Sequence, residues 1–172
     1  MANEGHKTSG EQILDIVKMS ESVSKIFGLP QKVVMDVMMK GIFCPNKPKR
    51  IFVFGSNLSG DHAGGAARFA YLHHGAEMGV GEGLTGNSYA LPTVGEDFRV
   101  MSLDDVRDHV ALFIKNARFW SDREFQVTRI GCGIAGFKDS DIAPMFADAP
   151  ANCLFDEAWK PFLPSARFWG TF

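Results

Sequence analysis

Two glycine-rich stretches hold the residue types that could do chemistry. The first is Gly55-Ser56-Asn57-Leu58-Ser59-Gly60-Asp61-His62-Ala63-Gly64-Gly65-Ala66, and the second is Gly131-Cys132-Gly133-Ile134-Ala135-Gly136-Phe137. Each follows a strand-like run, Ile51-Phe52-Val53-Phe54 and Val127-Thr128-Arg129-Ile130, and each leads into residues suited to a helix. Strand, glycine loop and helix start in that order aim unpaired backbone N–H groups and a positive helix end at one spot, which makes an anion site. A side chain at Gly65 or Gly133 would stop the backbone approaching a phosphate closely. Two such loops at the carboxyl ends of strands suggest opposite walls of one phosphate-binding cleft. Asp61, His62 and Glu82 sit in flexible glycine loops and are acid–base candidates, each also readable as a solvated loop residue. Cys132 and His62 could pair as nucleophile and base, against the alternative of an inert packed thiol. His73 and His74 are helix neighbours about 100° apart and cannot share a metal. No other metal-ligand spacing appears, so neither a metal nor another cofactor is expected.

The elements that must position these loops alternate in the manner of an α/β domain. Four consecutive large apolar residues at Ile51–Phe54 read as a strand buried on both faces of a parallel sheet. A helix follows from Ala66 and closes near His73 to Gly75. Residues 79–86 read as a flexible glycine stretch, and Ser88-Tyr89-Ala90-Leu91 as a short strand that Pro92 ends. Residues 95–100 form a loop. Ser102 caps a long helix whose buried stripe is Val106, Val110, Phe113, Ile114 and Ala117, with Asp104 and Asp105 in its first turn. Phe125 to Ile130 is the next strand, Asp139 to Ala147 a short helix opened by capping residues, and Asn152 to Phe155 the last clear strand. Residues 156–172 read as a closing helix and an aromatic tail. Gly131 to Gly136 also spells G-x-G-x-x-G, with Asp156 about 20 residues on, the spacing of a dinucleotide fingerprint. Too little chain remains after Asp156 for the further strands of such a fold.

Upstream, residues 1–8 read as a disordered tail. Residues 9–44 hold a helical pair: Ile13, Ile16, Val17, Val23, Ile26 and Phe27 fall at helical spacing, as do Val33, Val34, Val37 and Met38. The pair either packs on its own domain or serves as a partner or homo-oligomer surface. Residues 49–172 form the α/β domain. With 172 residues and 45% hydrophobic content, including fifteen Phe, the chain can bury an aromatic-rich core. A net charge of -2 lacks the footprint of a non-specific nucleic-acid binder. No apolar run is long enough to span a membrane. Three scattered Cys and no signal-peptide core fit a cytoplasmic protein with reduced thiols.

The two loops also carry a family resemblance. Asn57-Leu58 after a buried strand, then Gly64-Gly65-Ala66 opening a helix, resembles the first loop of macro domains. Gly133-Ile134-Ala135-Gly136-Phe137 resembles their second. Arg129-Ile130-Gly131-Cys132-Gly133 is similar to the branch that removes ADP-ribose from carboxylates, and the wording resembles uncharacterised, often phage-encoded, macro-like proteins, which would place the chain in a host cytoplasm. The match covers about Ile51 to Asp156. The resemblance implies a three-layer α/β fold of macro type, a mixed sheet flanked by helices, to which the N-terminal helical pair is added. It implies ADP-ribose or a related adenine nucleotide as ligand. Asn57 would then meet the distal ribose. Gly64, Gly65 and Ala66 would donate N–H groups to that ribose and the diphosphate, with Gly55 and Ser56 in the same ligand-binding set. Gly131, Cys132, Gly133, Ile134, Ala135 and Gly136 would cradle the diphosphate from the other side. Phe137 would pack on the distal ribose and Phe155 would stack on adenine, unless it is a core strand residue, with Asp156 nearby. Ala135 stands near where the deacylating branch has an aspartate, and Thr93-Val94, not a lysine, follow Tyr89-Ala90-Leu91-Pro92. Three activities stay open: a binder of the nucleotide, a hydrolase in which Asn57 positions the ribose while loop N–H groups stabilise developing charge, and a protein-interaction module.

Overall fold

The structure is a computed structural model that describes residues 17–18, 20–25, 28, 30–32, 34 and 49–172. The chain divides into two compact units, Met1–Lys47 and Pro48–Phe172. In the first, residues 17–18, 20–25, 31–32 and 34 are helical, and Gln31 Nε2 reaches Ser20 Oγ at 3.5 Å between the two helical stretches. The expected tail 1–8 and most of the expected pair lie outside the described residues.

The second unit is an α/β domain. Its strands are β1 (Lys49–Asn57), β2 (Gly83–Thr85), β3 (Ser88–Val94), β4 (Arg123–Val127), β5 (Cys153–Asp156) and β6 (Arg167–Gly170). Its helices are α1 (Gly65–His73), α2 (Leu103–Phe119) and the single turn α3 (Asp139–Ile142), with 3-10 turns at Ala143–Phe146 and Glu157–Trp159. The six strands form one mixed sheet in the order β2-β3-β1-β4-β5-β6. β3 and β4 flank β1 in parallel, β5 and β6 continue in parallel, and β2 runs antiparallel to β3 at the edge. Successive side chains of a strand point to opposite faces. Ile51 and Val53 therefore join the larger core, where Val106, Val110, Phe113, Ile114 and Ala117 of α2 meet Tyr89, Leu91, Phe125 and Val127. Phe52 and Phe54 face the other way, under Ala67 and Ala70 of α1. All four β1 residues are buried, as a central strand covered on both faces requires.

Five local readings need correction. Pro92 does not end β3, which runs on to Val94 with Pro92 opposite Ser56 of β1. β2 pairs only as far as Ala90, so Pro92 has no ladder partner on that side and its missing N–H costs nothing there. Residues 83–85 of the glycine stretch form β2. β4 stops at Val127: the Thr128 N–H makes the last ladder bond, to the Val53 carbonyl at 3.1 Å, and the chain then turns, with the Ile130 N–H on the Thr128 carbonyl at 2.8 Å. Lys138, without a side-chain cap, precedes α3 in place of the expected Asp139 cap. The expected closing helix is one 3-10 turn followed by strand β6.

The connections set the location of the cleft. From β1 the chain crosses by α1 to β3 on one side, and from β4 it passes to β5 on the other. The two crossovers lead away from each other, so the carboxyl ends of β1 and β4 flank an open crevice. Ligand sites of open α/β sheets lie at such switch points. No helix among the described residues is long and apolar enough to cross a membrane.

Candidate functional site

A cleft of about 540 Å³ opens at this crevice. One wall is Gly55, Ser56 and Asn57 at the end of β1, with Asp61, Gly64, Gly65 and Ala66 leading into α1. The other wall is the run Gly131, Cys132, Gly133, Ile134 and Ala135 after β4. The walls approach closely at their base, where a Cβ on Gly55 would stand 3.3 Å from the Gly131 nitrogen. Across the mouth, Ile134 Cδ1 lies 3.5 Å and 3.8 Å from where Cβ atoms on Gly64 and Gly65 would be.

The start of α1 faces the cleft without a cap. Gly64 precedes it in extended backbone, no side chain caps it, and its first turn holds no acidic residue. The first N–H groups of a helix have no intrahelical partner, and they carry the positive end of its dipole. Gly65 has φ +55°, a left-handed conformation that glycine takes without strain. The opposite loop is shaped by Gly131, at φ +71°, where a Cβ would lie 2.8 Å from the Phe137 ring. The Phe137 N–H closes the loop on the Gly131 carbonyl at 3.0 Å. Gly133 has open space around its Cα.

Asn57 lines the cleft and also ties its own loop. Its Nδ2 donates to the Asp61 carbonyl at 2.8 Å, and its Oδ1 accepts from the Asp61 N–H and Ser59 Oγ, each at 2.9 Å. One amide N–H of the side chain remains for another partner. Ser56 Oγ donates to the Gly81 carbonyl. That bond holds the 79–86 segment against β1, so closely that a Cβ on Gly81 would overlap the Asn57 and Leu58 carbonyls.

Other expected site residues stand elsewhere. His62 is buried beneath the loop, edge-on to Phe54 with ring centroids 5.1 Å apart, and does not line the cleft. Glu82 hydrogen-bonds His109 of α2 at 2.6 Å, away from the cleft lining. Phe155 is a core residue, packed with Phe146 and Trp159. Phe137 packs on the same core, and Gly136 lies outside the lining. Asp156 does reach the cleft, but its carboxylate accepts from the Ala158 and Phe172 N–H groups and from Thr171 Oγ1 at 2.9–3.1 Å. Cys132 lines the cleft with its thiol pushed up to about 12, by burial first and then by Asp139. A thiol so held is a poor nucleophile, and with His62 inside the protein the two do not form a pair.

Several lining residues are additions to the expected set. Arg129 reaches the cleft with its guanidinium locked by Asp139, Nε to Oδ1 at 2.9 Å and Nη2 to Oδ2 at 2.6 Å. Asp139 is braced in turn by Trp159 Nε1 at 2.7 Å, and the Arg129 hydrogen bond holds its carboxyl below the ordinary range. A cation just before a glycine loop was the available signal for Arg129. Thr93 comes from β3, Phe98 and Val100 from the turn after it, and Phe172 from beyond β6. Their approach depends on strand order, which no local pattern carries.

Comparison with protein-family models, curated proteins and solved structures finds no match to this chain.

Proposed function

We propose that the chain binds ADP-ribose or a related adenine nucleotide in the cleft between its two glycine-rich loops, as a domain of macro type. One observation carries the reading. At the switch point of the sheet, an uncapped helix start and a second glycine loop face the same space. A diphosphate fits that arrangement, because it offers several oxygens to N–H groups arriving from both sides. The cleft volume of about 540 Å³ lies in the range of nucleotide-sized sites.

Binding without turnover suits the side chains better than hydrolysis. Cys132 is held as a thiol, His62 is buried, and Glu82 is bonded to His109. In a hydrolytic version Asn57 and Asp61 alone would position the ribose and a water.

Calorimetric titration with ADP-ribose tests the reading. The unaltered chain is expected to bind, and Gly133→Glu to lose binding while staying folded, since position 133 has open space. Two like charges about 4 Å apart at an effective dielectric near 20 repel by about 4 kcal/mol. That is roughly a thousandfold in affinity. Unchanged affinity in a folded Gly133→Glu protein would remove the diphosphate from this loop.

A further inference from the structure

Resting on the nucleotide reading, we propose that the cleft takes a dinucleotide with a planar ring at each end, and that Phe98 holds the ring at the β3 end. Phe98 tips the turn between β3 and α2. Among the described residues it is the one non-glycine residue with left-handed backbone, at φ 61°. A bulky residue there strains the chain, and such strain persists where surrounding structure enforces it, often at ligand clamps. The turn is enforced. Gly95 N–H donates to the Arg99 carbonyl at 2.8 Å, Phe98 N–H to the Gly95 carbonyl at 3.2 Å, and Arg99 N–H to Asp97 Oδ1 at 3.1 Å. The core gains nothing from the ring: it is 61% exposed and belongs to neither core cluster. It lines the cleft instead. An aromatic ring held there is a surface on which a ligand ring can pack.

A second exposed ring lines the same cleft: Phe172 is 55% exposed. Its ring is braced by Phe52 and Phe69, at 5.5 and 5.2 Å, and its N–H is held by Asp156 Oδ2 at 3.0 Å. Phe98 thus stands on the turn that follows β3, whereas the Phe172 ring rests on Phe52 of β1 and Phe69 of α1. The start of α1 and the 131–135 loop line the same cleft as the two rings. The cleft thus offers two exposed rings besides its glycine loops, and ADP-ribose, with one planar ring, would leave Phe98 without a partner.

Calorimetry with NAD, ADP-ribose and ADP on the full chain, on Phe98→Asn and on Phe98→Trp tests this. Asparagine tolerates left-handed backbone, so Phe98→Asn is expected to keep or raise the melting temperature of the free protein. The unaltered chain should bind NAD about fivefold tighter than ADP-ribose, the worth of one stacked ring. Phe98→Asn should erase that preference and leave ADP affinity unchanged, while Phe98→Trp should keep it. Equal or tighter binding of ADP-ribose by the unaltered chain overturns the proposal. So does an equal loss for ADP in Phe98→Asn, or a lowered melting temperature of that free variant. If the unaltered chain binds none of the three, the nucleotide reading itself falls and this inference falls with it.

Discussion

Cys153 faces the larger core from β5, and burial pushes its thiol up from 9.0 to about 12. Between those values the unfolded chain releases its thiol proton and the folded chain keeps it. Stability is therefore intact below the unfolded value of 9.0 and falls as pH rises towards the folded one. The slope for one such group is about 1.4 kcal/mol per pH unit. Urea unfolding of the full chain and of Cys153→Ala, followed from about pH 8 to about pH 10.5, should show a shallower alkaline loss in the variant; parallel curves would refute the assignment. At this scale the sequence was legible where a residue acts through its backbone. Gly64, Gly65, Gly131 and Gly133 line the cleft as their types suggested. Side-chain roles were less legible, because they depend on partners far along the chain. Glu82 meets His109, and Phe155 meets Phe146 and Trp159. A strand Phe looks the same in sequence whether it faces a core or a ligand.

Strand β6 depends on one carboxylate. Asp156 ends β5, caps the 3-10 turn after it, and holds the Thr171 hydroxyl and Phe172 N–H beyond β6. Asp156→Ala removes these bonds together and is expected to destabilise the domain by about 3 kcal/mol, since hydrogen bonds to a charged group are the stronger kind. Urea unfolding gives the loss, and hydrogen exchange should show it first at residues 167–172. A change within about 0.5 kcal/mol would mean that the tail is held by its ring contacts alone. Helix α2 was readable because its signals are local: Ser102 accepts from the Asp105 N–H at 3.2 Å, and the apolar stripe repeats every turn. β6 was not, because Arg167-Phe168-Trp169-Gly170 is short and gains its strand character only from pairing with β5.

Among the described residues, the two core clusters and the cleft lining belong to the Pro48–Phe172 unit. A fragment starting at Pro48 should therefore unfold cooperatively and retain the ADP-ribose affinity of the full chain. Matching denaturation curves by circular dichroism and fluorescence would support this, whereas a fragment that binds hydrophobic dye and lacks a cooperative transition would refute it. At this scale the alternation of strands and helices was legible as an α/β domain, but the strand order was not, since it is decided by which edges remain open as each strand arrives. That order bears on how the protein is made. β1 is the earliest strand of the unit in the chain and an interior strand of its sheet, paired on both edges. As the chain leaves the ribosome, Ile51–Phe54 waits for β3 on one edge and for β4 on the other. Pairings so distant in sequence fold slowly. Until Arg123 has emerged, an apolar strand with an unpaired edge is open to the same segment of a neighbouring chain, so refolding yield should fall as protein concentration rises.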